Sequence, residues 1–66
     1  MCESSAYLLK ENGQEELILE DVVLMRPGKG VIVLSNILGE KKEIEASIDN
    51  VDLLHHKILL RPAEKS

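Results

Sequence analysis

The only cysteine of the chain is Cys2, and its place beside the amino terminus makes it the first candidate for chemistry. An α-amine has a pKa of about 7.7 to 8.0, so an amine and a thiolate can act together near neutral pH. If Met1 is retained, its amine, the Cys2 amide nitrogen and the Cys2 sulfur can close two fused five-membered rings around one metal ion. If Met1 is removed, the amine and sulfur of Cys2 still close one such ring. Met1 and Cys2 are therefore candidate metal ligands.

Nitrogen and thiolate ligands in a planar arrangement favour Ni(II) or Cu(II) over magnesium or calcium. One chain offers at most three of the four ligands of such a site, so the fourth must come from water, a side chain or another chain. A dimer could bring two Cys2 sulfurs to one ion. The alternative is that Cys2 packs as a small apolar residue at the start of a strand. The residues by themselves leave both interpretations open.

A second metal-competent pair is His55-His56. In an extended segment, adjacent side chains point to opposite faces, so the two rings cannot share one ion within one chain. One histidine could act as a ligand across an interface. The alternative is that one ring faces solvent while the other packs near the turn before the last strand. The sequence identifies no carboxylate partner for either ring.

Other patterns do not predict catalysis. The turn Arg26–Gly30 lacks the spacing of a phosphate-binding loop. The acidic pairs Glu15-Glu16 and Glu20-Asp21 are typical of solvated strand ends, since no buried cleft is indicated that would separate their pKa values. A nucleophile built from Cys2 and a histidine would need an orienting group and oxyanion donors, and no such set is present. We expect a protein that is not an enzyme.

Composition restricts the remaining classes of function. The net charge is −4, and the basic residues are scattered among more numerous acids, which disfavours a nucleic-acid surface. No apolar run approaches the roughly 20 residues that span a bilayer, and the amino terminus lacks the pattern of a signal peptide. We therefore expect a soluble, cytoplasmic protein without membrane contact. Tyr7 is the only aromatic residue, so the core should be aliphatic.

Turn signals divide the chain into short strands. Asn12-Gly13 between two apolar runs is typical of a hairpin, and Pro27 with the glycines that follow it indicates a second one. The alternation in KKEIEASI predicts a half-buried strand, although an amphipathic helix over Ile44–Leu54 also fits the spacing. We place strands at Ser4–Lys10, Glu15–Glu20, on both sides of Arg26–Gly30, after the turn Leu38–Glu40, and, beyond a connection that starts at Asp49-Asn50, at Lys57–Leu60.

The 66 residues predict one domain, 1–66, with residues 63–66 as a frayed tail. A chain of about 60 residues buries only about 60% of its unfolded surface, so its core is marginal. A single cysteine excludes an intrachain disulfide, which leaves association as the expected source of further stability. Short strands with frequent turns indicate a small barrel or sandwich. A homodimer with a two-fold axis is the commonest way to cover a remaining apolar face.

The start MCESSAYL, the short meander and the closing stretch SIDNVDLLHHKILL together resemble the small CooT-type proteins. These are nickel-binding accessory proteins associated with carbon monoxide dehydrogenase maturation. The resemblance implies an SH3-like or Sm-like barrel of about five to seven short antiparallel strands and a homodimer. It also implies Ni(II) bound through Cys2, with the main-chain nitrogens of Met1 and Cys2 as further ligands. It gives no role to His55 or His56.

The residues and the resemblance together lead to two hypotheses about function. The first is a Ni(II)-binding, metallochaperone-like accessory protein with carbon monoxide dehydrogenase as its client. The alternative is an Sm-like RNA-binding or protein-interaction module without metal. RNA recognition of that kind relies on stacking aromatics and a basic groove, and the sequence offers one tyrosine and a net negative charge.

Overall fold

The protein folds into six strands in a computed structural model that describes residues 3–63. They pair in one sheet with the order β4-β3-β2-β1-β6-β5. The prediction of an all-β fold with about five to seven strands is confirmed, and the helix expected as an alternative over residues 44–54 is wrong. Within residues 3–63, no helix has the length and apolar character needed to cross a bilayer. The strands are β1 (Ser4–Leu9), β2 (Glu15–Pro27), β3 (Ile32–Asn36), β4 (Lys41–Ile44), β5 (Ala46–Asp52) and β6 (Lys57–Pro62).

The first hairpin forms where the sequence predicts it. Gly13 has a φ of 85°, a conformation that glycine adopts without steric cost. The side-chain oxygen of Asn12 accepts a hydrogen bond from the Gln14 backbone N–H at 3.0 Å, which closes the turn locally. The chain therefore returns antiparallel, and Leu9 pairs with Glu15.

The strand β2 is longer than the sequence predicts, because the chain bends near Asp21 instead of turning there. Asp21 has a φ of 57°, and the register with β1 and with β3 shifts around Val22. Such bulges bend a strand while preserving its pairing on either side. One strand thus pairs with β1 through its first half and with β3 through its second half.

One strand pair departs from the antiparallel arrangement that we expected. Strands β1 and β6 run parallel, with Ser5 opposite Lys57 and Leu8 opposite Leu60. A parallel pair needs a long crossover connection, and the whole segment from β2 to β5 provides it. As a result, the first residues of β1 and of β6 lie at the same end of the sheet.

The sheet is not closed into a barrel, which also departs from the expectation. Its two outer strands are β4 and β5, and only Glu45 separates them in the chain. Consecutive segments joined by one residue cannot lie side by side, so no ladder joins these two strands within the described residues. The backbone at Glu45 instead accepts a hydrogen bond from the Ala63 N–H at 3.0 Å.

The last hairpin is also tighter than the sequence indicates. We expected a connection starting at Asp49-Asn50, yet β5 continues through both residues to Asp52. A register shift between Ile48 and Asn50 accommodates them as a bulge. The Asp49 carboxylate accepts a hydrogen bond from the Arg61 guanidinium on β6 at 2.6 Å, which holds the two strands together there. The connection is therefore only the four residues 53–56.

The core is aliphatic, as predicted. Leu34 and Leu60 are fully buried, and Ile32 is 1% exposed. Several apolar side chains nevertheless remain in solvent, among them Leu38, Leu53 and Leu54, each about four fifths exposed. A small sheet thus covers one compact cluster and leaves other apolar surface free. The buried apolar residues are Ala6, Leu19, Val22, Ile32, Leu34, Ala46, Ile58 and Leu60.

Candidate metal centre at the start of the first strand

The predicted ligands Met1 and Cys2 lie outside the described residues, which begin at Glu3. The start of β1, which is described, is positioned by the parallel pairing of β1 with β6. The Ser5 backbone N–H donates a hydrogen bond to the His56 carbonyl at 2.9 Å. The turn before β6 is therefore bonded to the start of β1. The fold brings the start of β1 and the His55-His56 pair to one end of the sheet.

Asp52 organises this turn, which we define as residues 53–56. Its Oδ1 atom accepts hydrogen bonds from the backbone N–H groups of Leu54 and His55, both at 3.1 Å. An aspartate that bonds backbone groups two and three residues later forms an Asx turn. The second oxygen, Oδ2, lies 2.8 Å from His55 Nδ1. One carboxylate thus fixes both the backbone of the turn and the ring of one histidine.

The pairing with Asp52 determines which nitrogen of His55 is free. The hydrogen bond from the His55 side chain, followed by that from its backbone, holds the pKa of Asp52 below the usual value for aspartate. An ionised carboxylate can only accept, so His55 Nδ1 must carry the hydrogen. In the neutral ring the lone pair is then on Nε2. The His55 side chain is 69% exposed, so a ligand can approach it from solvent.

The pairing of Asp52 with His55 was not predicted from the sequence. We found no carboxylate for either histidine, because we placed His55 in an extended connection. The spacing D-x-x-H just before a strand was the available signal, since an Asx turn brings these positions together. The geometry that we assumed for the histidine pair was wrong for the same reason: both residues lie in a turn, not in an extended segment.

His56 has a different environment from His55. Its φ is 54°, an uncommon conformation for a residue other than glycine. Its carbonyl is the acceptor for Ser5, so its backbone links the turn to β1. His56 thus contributes to the site through its main chain.

An apolar groove lies beside the start of β1. Glu3 and Ser4 line it together with Ile58 of β6 and the segment Val22–Met25 of β2. Val23 is 58% exposed. The start of β1 therefore lies next to apolar surface on one side and next to the turn 53–56 on the other.

The remaining candidates from the sequence have structural roles. In the turn after Pro27, the Gly28 N–H donates to the Val31 carbonyl at 2.8 Å, as expected for a hairpin. Glu15 forms an ion pair with Lys57, and the Lys57 ammonium also lies 5.2 Å from the centre of the Tyr7 ring. The hydrogen bond to Glu15 raises the pKa of Lys57. A tyrosine covered in this way is a poor platform for stacking a base.

The described residues do not complete a metal site alone. Within residues 3–63, no group of three or more histidine, aspartate or glutamate side chains is arranged to hold a metal ion. The Asp52–His55 pair offers a single free imidazole nitrogen. A metal centre at this end of the sheet therefore requires further donors, whether from outside the described residues, from water or from another chain.

The fold defines a small all-β protein in which the turn that carries two histidines is bonded to the start of the first strand. Comparison with protein families gives a more specific assignment. The family described as "CO dehydrogenase accessory protein CooT" matches residues 1–61, so the chain belongs to the CooT family. The role of this family is accessory to CO dehydrogenase.

A solved structure is similar over nearly the whole chain. It is a crystal structure assigned as CooT from Carboxydothermus hydrogenoformans, with 38% sequence identity and a TM-score of 0.86. The alignment covers 96% of this chain and 100% of that chain. A comparison with curated proteins found no match. The open six-stranded sheet is thus an arrangement shared with another protein of this kind.

Proposed function

We propose that this protein binds Ni(II) through Cys2 and supports nickel insertion into carbon monoxide dehydrogenase, acting as an accessory protein and not as an enzyme. The observation that carries the proposal is a thiol next to the terminal amine in a chain of the CooT family. Thiolate and amine nitrogen are suitable ligands for Ni(II). The protein would hold the ion as cargo for its client in the cytoplasm.

The expected homodimer is part of this proposal, and the apolar surface supports it. Leu53 and Leu54 are 78% and 81% exposed in the turn that is bonded to the start of β1. Large apolar side chains with this exposure favour association, because burial removes them from water. Two copies that meet through these turns would bring their amino termini close together. The two Cys2 sulfurs could then bind one ion.

Nickel titration of the metal-free protein tests the proposal. We expect one Ni(II) per dimer, thiolate-to-nickel absorption bands in the near ultraviolet, and loss of both in Cys2→Ala. Cys2→Ser is the conservative variant, and it should also lose the bands because a hydroxyl is a poor ligand for Ni(II). Unchanged affinity and spectrum in Cys2→Ala would refute the proposal.

A second preparation tests the terminal amine separately from the thiol. A few additional residues before Met1 move the α-amine away while Cys2 stays in the chain. If amine and thiolate form one chelate, this extension should weaken binding strongly and change the absorption spectrum. Affinity equal to that of the unmodified protein would show that the amine is not a ligand, whereas the role of the Cys2 sulfur would stand.

A further inference from the structure

A groove lies between the first half of β2 and the turn 37–40, which joins β3 to β4. Leu17 lines it from the strand and Leu38 from the turn, and these side chains are 46% and 80% exposed. The volume of the groove, about 310 Å³, is at the lower limit for small-molecule pockets. It is better suited to apolar side chains of a protein partner than to a small ligand. We call it the β2 groove.

The edge of β2 along this groove has no partner strand among residues 3–63. Residues 15–20 pair with β1 on one edge, whereas pairing with β3 on the other edge begins only at Val22. Alternate residues of a strand direct their backbone N–H and C=O groups to opposite edges. Some of these groups in residues 15–20 therefore face the groove and can bond to an added extended segment.

The turn 37–40 holds its exposed leucine in a fixed position. Asn36 is 7% exposed, and its side-chain oxygen accepts hydrogen bonds from the backbone N–H groups of Leu38 and Glu40 at 3.1 and 2.9 Å. The Ile37 N–H donates to the Asp21 carbonyl at 3.0 Å, which bonds the turn to β2. A partner that covers Leu38 would therefore lose little free energy to ordering of this loop.

The charged residues that line the β2 groove are mostly acidic. They are Glu20, Asp21 and Glu40, with Lys42 as the only base among the described residues of the lining. Glu20 and Asp21 belong to none of the ion pairs that form between described residues. Complementary charge attracts a partner, and like charge excludes one. An incoming segment should therefore carry lysine or arginine beside its apolar side chains.

A second copy of this chain is a poor occupant of the groove. In a two-fold interface the same surface meets itself, so the carboxylates would face each other. The pairing of Tyr7 with Leu17 and of Ala6 with Leu19 also leaves Ile18 as an unpaired bulge residue. A bulge interrupts an open strand edge and disfavours long edge-to-edge pairing between copies. A short segment of a different protein avoids both obstacles.

We propose that the β2 groove is the docking site for the client, and that it receives an extended segment with an apolar side chain next to lysine or arginine. The apolar side chain would cover Leu17 and Leu38, and the basic groups would face Glu20 and Asp21. The backbone of the segment would bond to the open edge of β2. The identity of the partner, carbon monoxide dehydrogenase, rests on the proposed function.

The experiment measures binding to nickel-free carbon monoxide dehydrogenase purified from the same organism, by biolayer interferometry with the client immobilised. We expect Leu38→Ser to raise the dissociation constant about tenfold, because one exposed leucine is no longer buried in the complex. The change should lie mainly in faster dissociation. Leu38→Met keeps an apolar side chain of similar volume, so it should bind like the wild type.

The role of charge is tested with Glu20→Gln combined with Asp21→Asn. Asparagine tolerates the positive φ of position 21, which is 57°, so the bend in β2 should persist. Association should slow several-fold at low ionic strength, and the difference should shrink toward about 1 M salt, where the Debye length is about 3 Å. Glu11→Gln with Glu45→Gln is the matched control, because it removes the same charge from exposed positions that do not line the groove. Thermal unfolding checks that each variant is folded.

Several results would overturn this docking site. They are equal affinity of Leu38→Ser and the wild type, an equal loss in the Glu11 and Glu45 control, or no binding of the client to the wild type. Dissociation of the homodimer by Leu38→Ser would assign the groove to self-association instead.

The proposed function is judged separately by the Ni(II) titration of Cys2→Ala. The groove variants should keep the Ni(II) affinity of the wild type, so their loss of client binding would support the docking site alone. If Cys2→Ala leaves Ni(II) binding unchanged while the groove variants lose the client, the role of Cys2 is wrong and the docking site stands. If Cys2→Ala loses Ni(II) while the groove variants still bind the client, the docking site is wrong and the role of Cys2 stands.

Discussion

Replacement of Leu53 and Leu54 by serine should disrupt the homodimer that we propose. Their exposed fractions are 78% and 81%, so almost all of each side chain is available for burial in an interface. Full burial of a leucine stabilises by about 1.5 to 3 kcal/mol. At the lower end of this range, the four leucines of two turns contribute about 6 kcal/mol. Area converts only partly into affinity, so we take about half of this value as the expected loss.

A loss of about 3 kcal/mol raises the dissociation constant by about a hundredfold, since about 1.4 kcal/mol corresponds to a factor of ten. Sedimentation velocity over a wide range of protein concentrations measures this change directly. Serine in an exposed turn should alter the free energy of unfolding of the protomer by no more than about 0.5 kcal/mol. Circular dichroism and thermal unfolding of the monomeric variant check that the fold is retained.

Leu38→Ser is the matched control. Leu38 is 80% exposed and lies in the turn between β3 and β4. In the chain, it precedes β4, whereas Leu53 follows β5. The loss of hydrophobic side chain is the same in kind, but this turn is hydrogen-bonded to Asp21 of β2, through the Ile37 N–H, instead of to β1. A control that dissociates as much as the double variant would show that the interface lies elsewhere. A wild-type protein that sediments as a monomer at all concentrations would refute the dimer itself.

Three further predictions concern the fold. The Asn36 side chain donates a hydrogen bond to the Glu40 carboxylate at 2.7 Å and accepts bonds from the backbone N–H groups of Glu40 and Leu38 at 2.9 and 3.1 Å. Asn36→Ala removes all three, so chemical denaturation should show a loss of about 1 to 3 kcal/mol, and unchanged stability would mean that water replaces them fully. Leu34→Ala should cost about 2 to 5 kcal/mol in the same assay, and a cost below about 1 kcal/mol would show that the core can collapse around the cavity. Glu15 raises the pKa of Lys57, so the ion pair stabilises the fold below the unfolded-state pKa of lysine and loses this effect as the pH rises through the folded-state pKa. The melting temperature of Glu15→Gln should accordingly lie below that of the wild type at neutral pH and converge with it in strongly alkaline buffer, whereas a constant difference would assign the effect to packing.

Local signals in the sequence were sufficient to predict most of the turns. Asn12-Gly13 forms the predicted hairpin, because a positive φ at Gly13 and an Asx bond at Asn12 depend only on neighbouring atoms. The turn after Pro27 also forms as predicted. The alternation that predicts a half-buried strand is interrupted at Glu45, where the chain passes from β4 to β5. Ile48 is consequently 39% exposed on the outer strand, although its backbone lies opposite the buried Leu60.

Bulges were harder to predict than turns. The chain continues as one strand through Asp21 and through Asp49-Asn50, although these residue types are frequent in turns. Pairing with strands on either side overrides the local preference, because the backbone hydrogen bonds of the ladder continue beyond each bulge. Whether such a residue ends a strand or bends it therefore depends on partners that are distant in the sequence.

In the candidate site, too, some features could be predicted from the sequence and others depend on the tertiary structure. The sequence by itself was enough to predict Cys2 as a candidate ligand, because a thiol is a metal ligand in any fold and the chain has a single cysteine. It also determined the aliphatic character of the core. Only the tertiary structure decided that the turn 53–56 lies beside the start of β1, since that depends on a parallel pairing of the first and last strands. The bond between Asp52 and His55 required the same turn to form, and it gives one of two adjacent histidines an oriented ring and a free nitrogen.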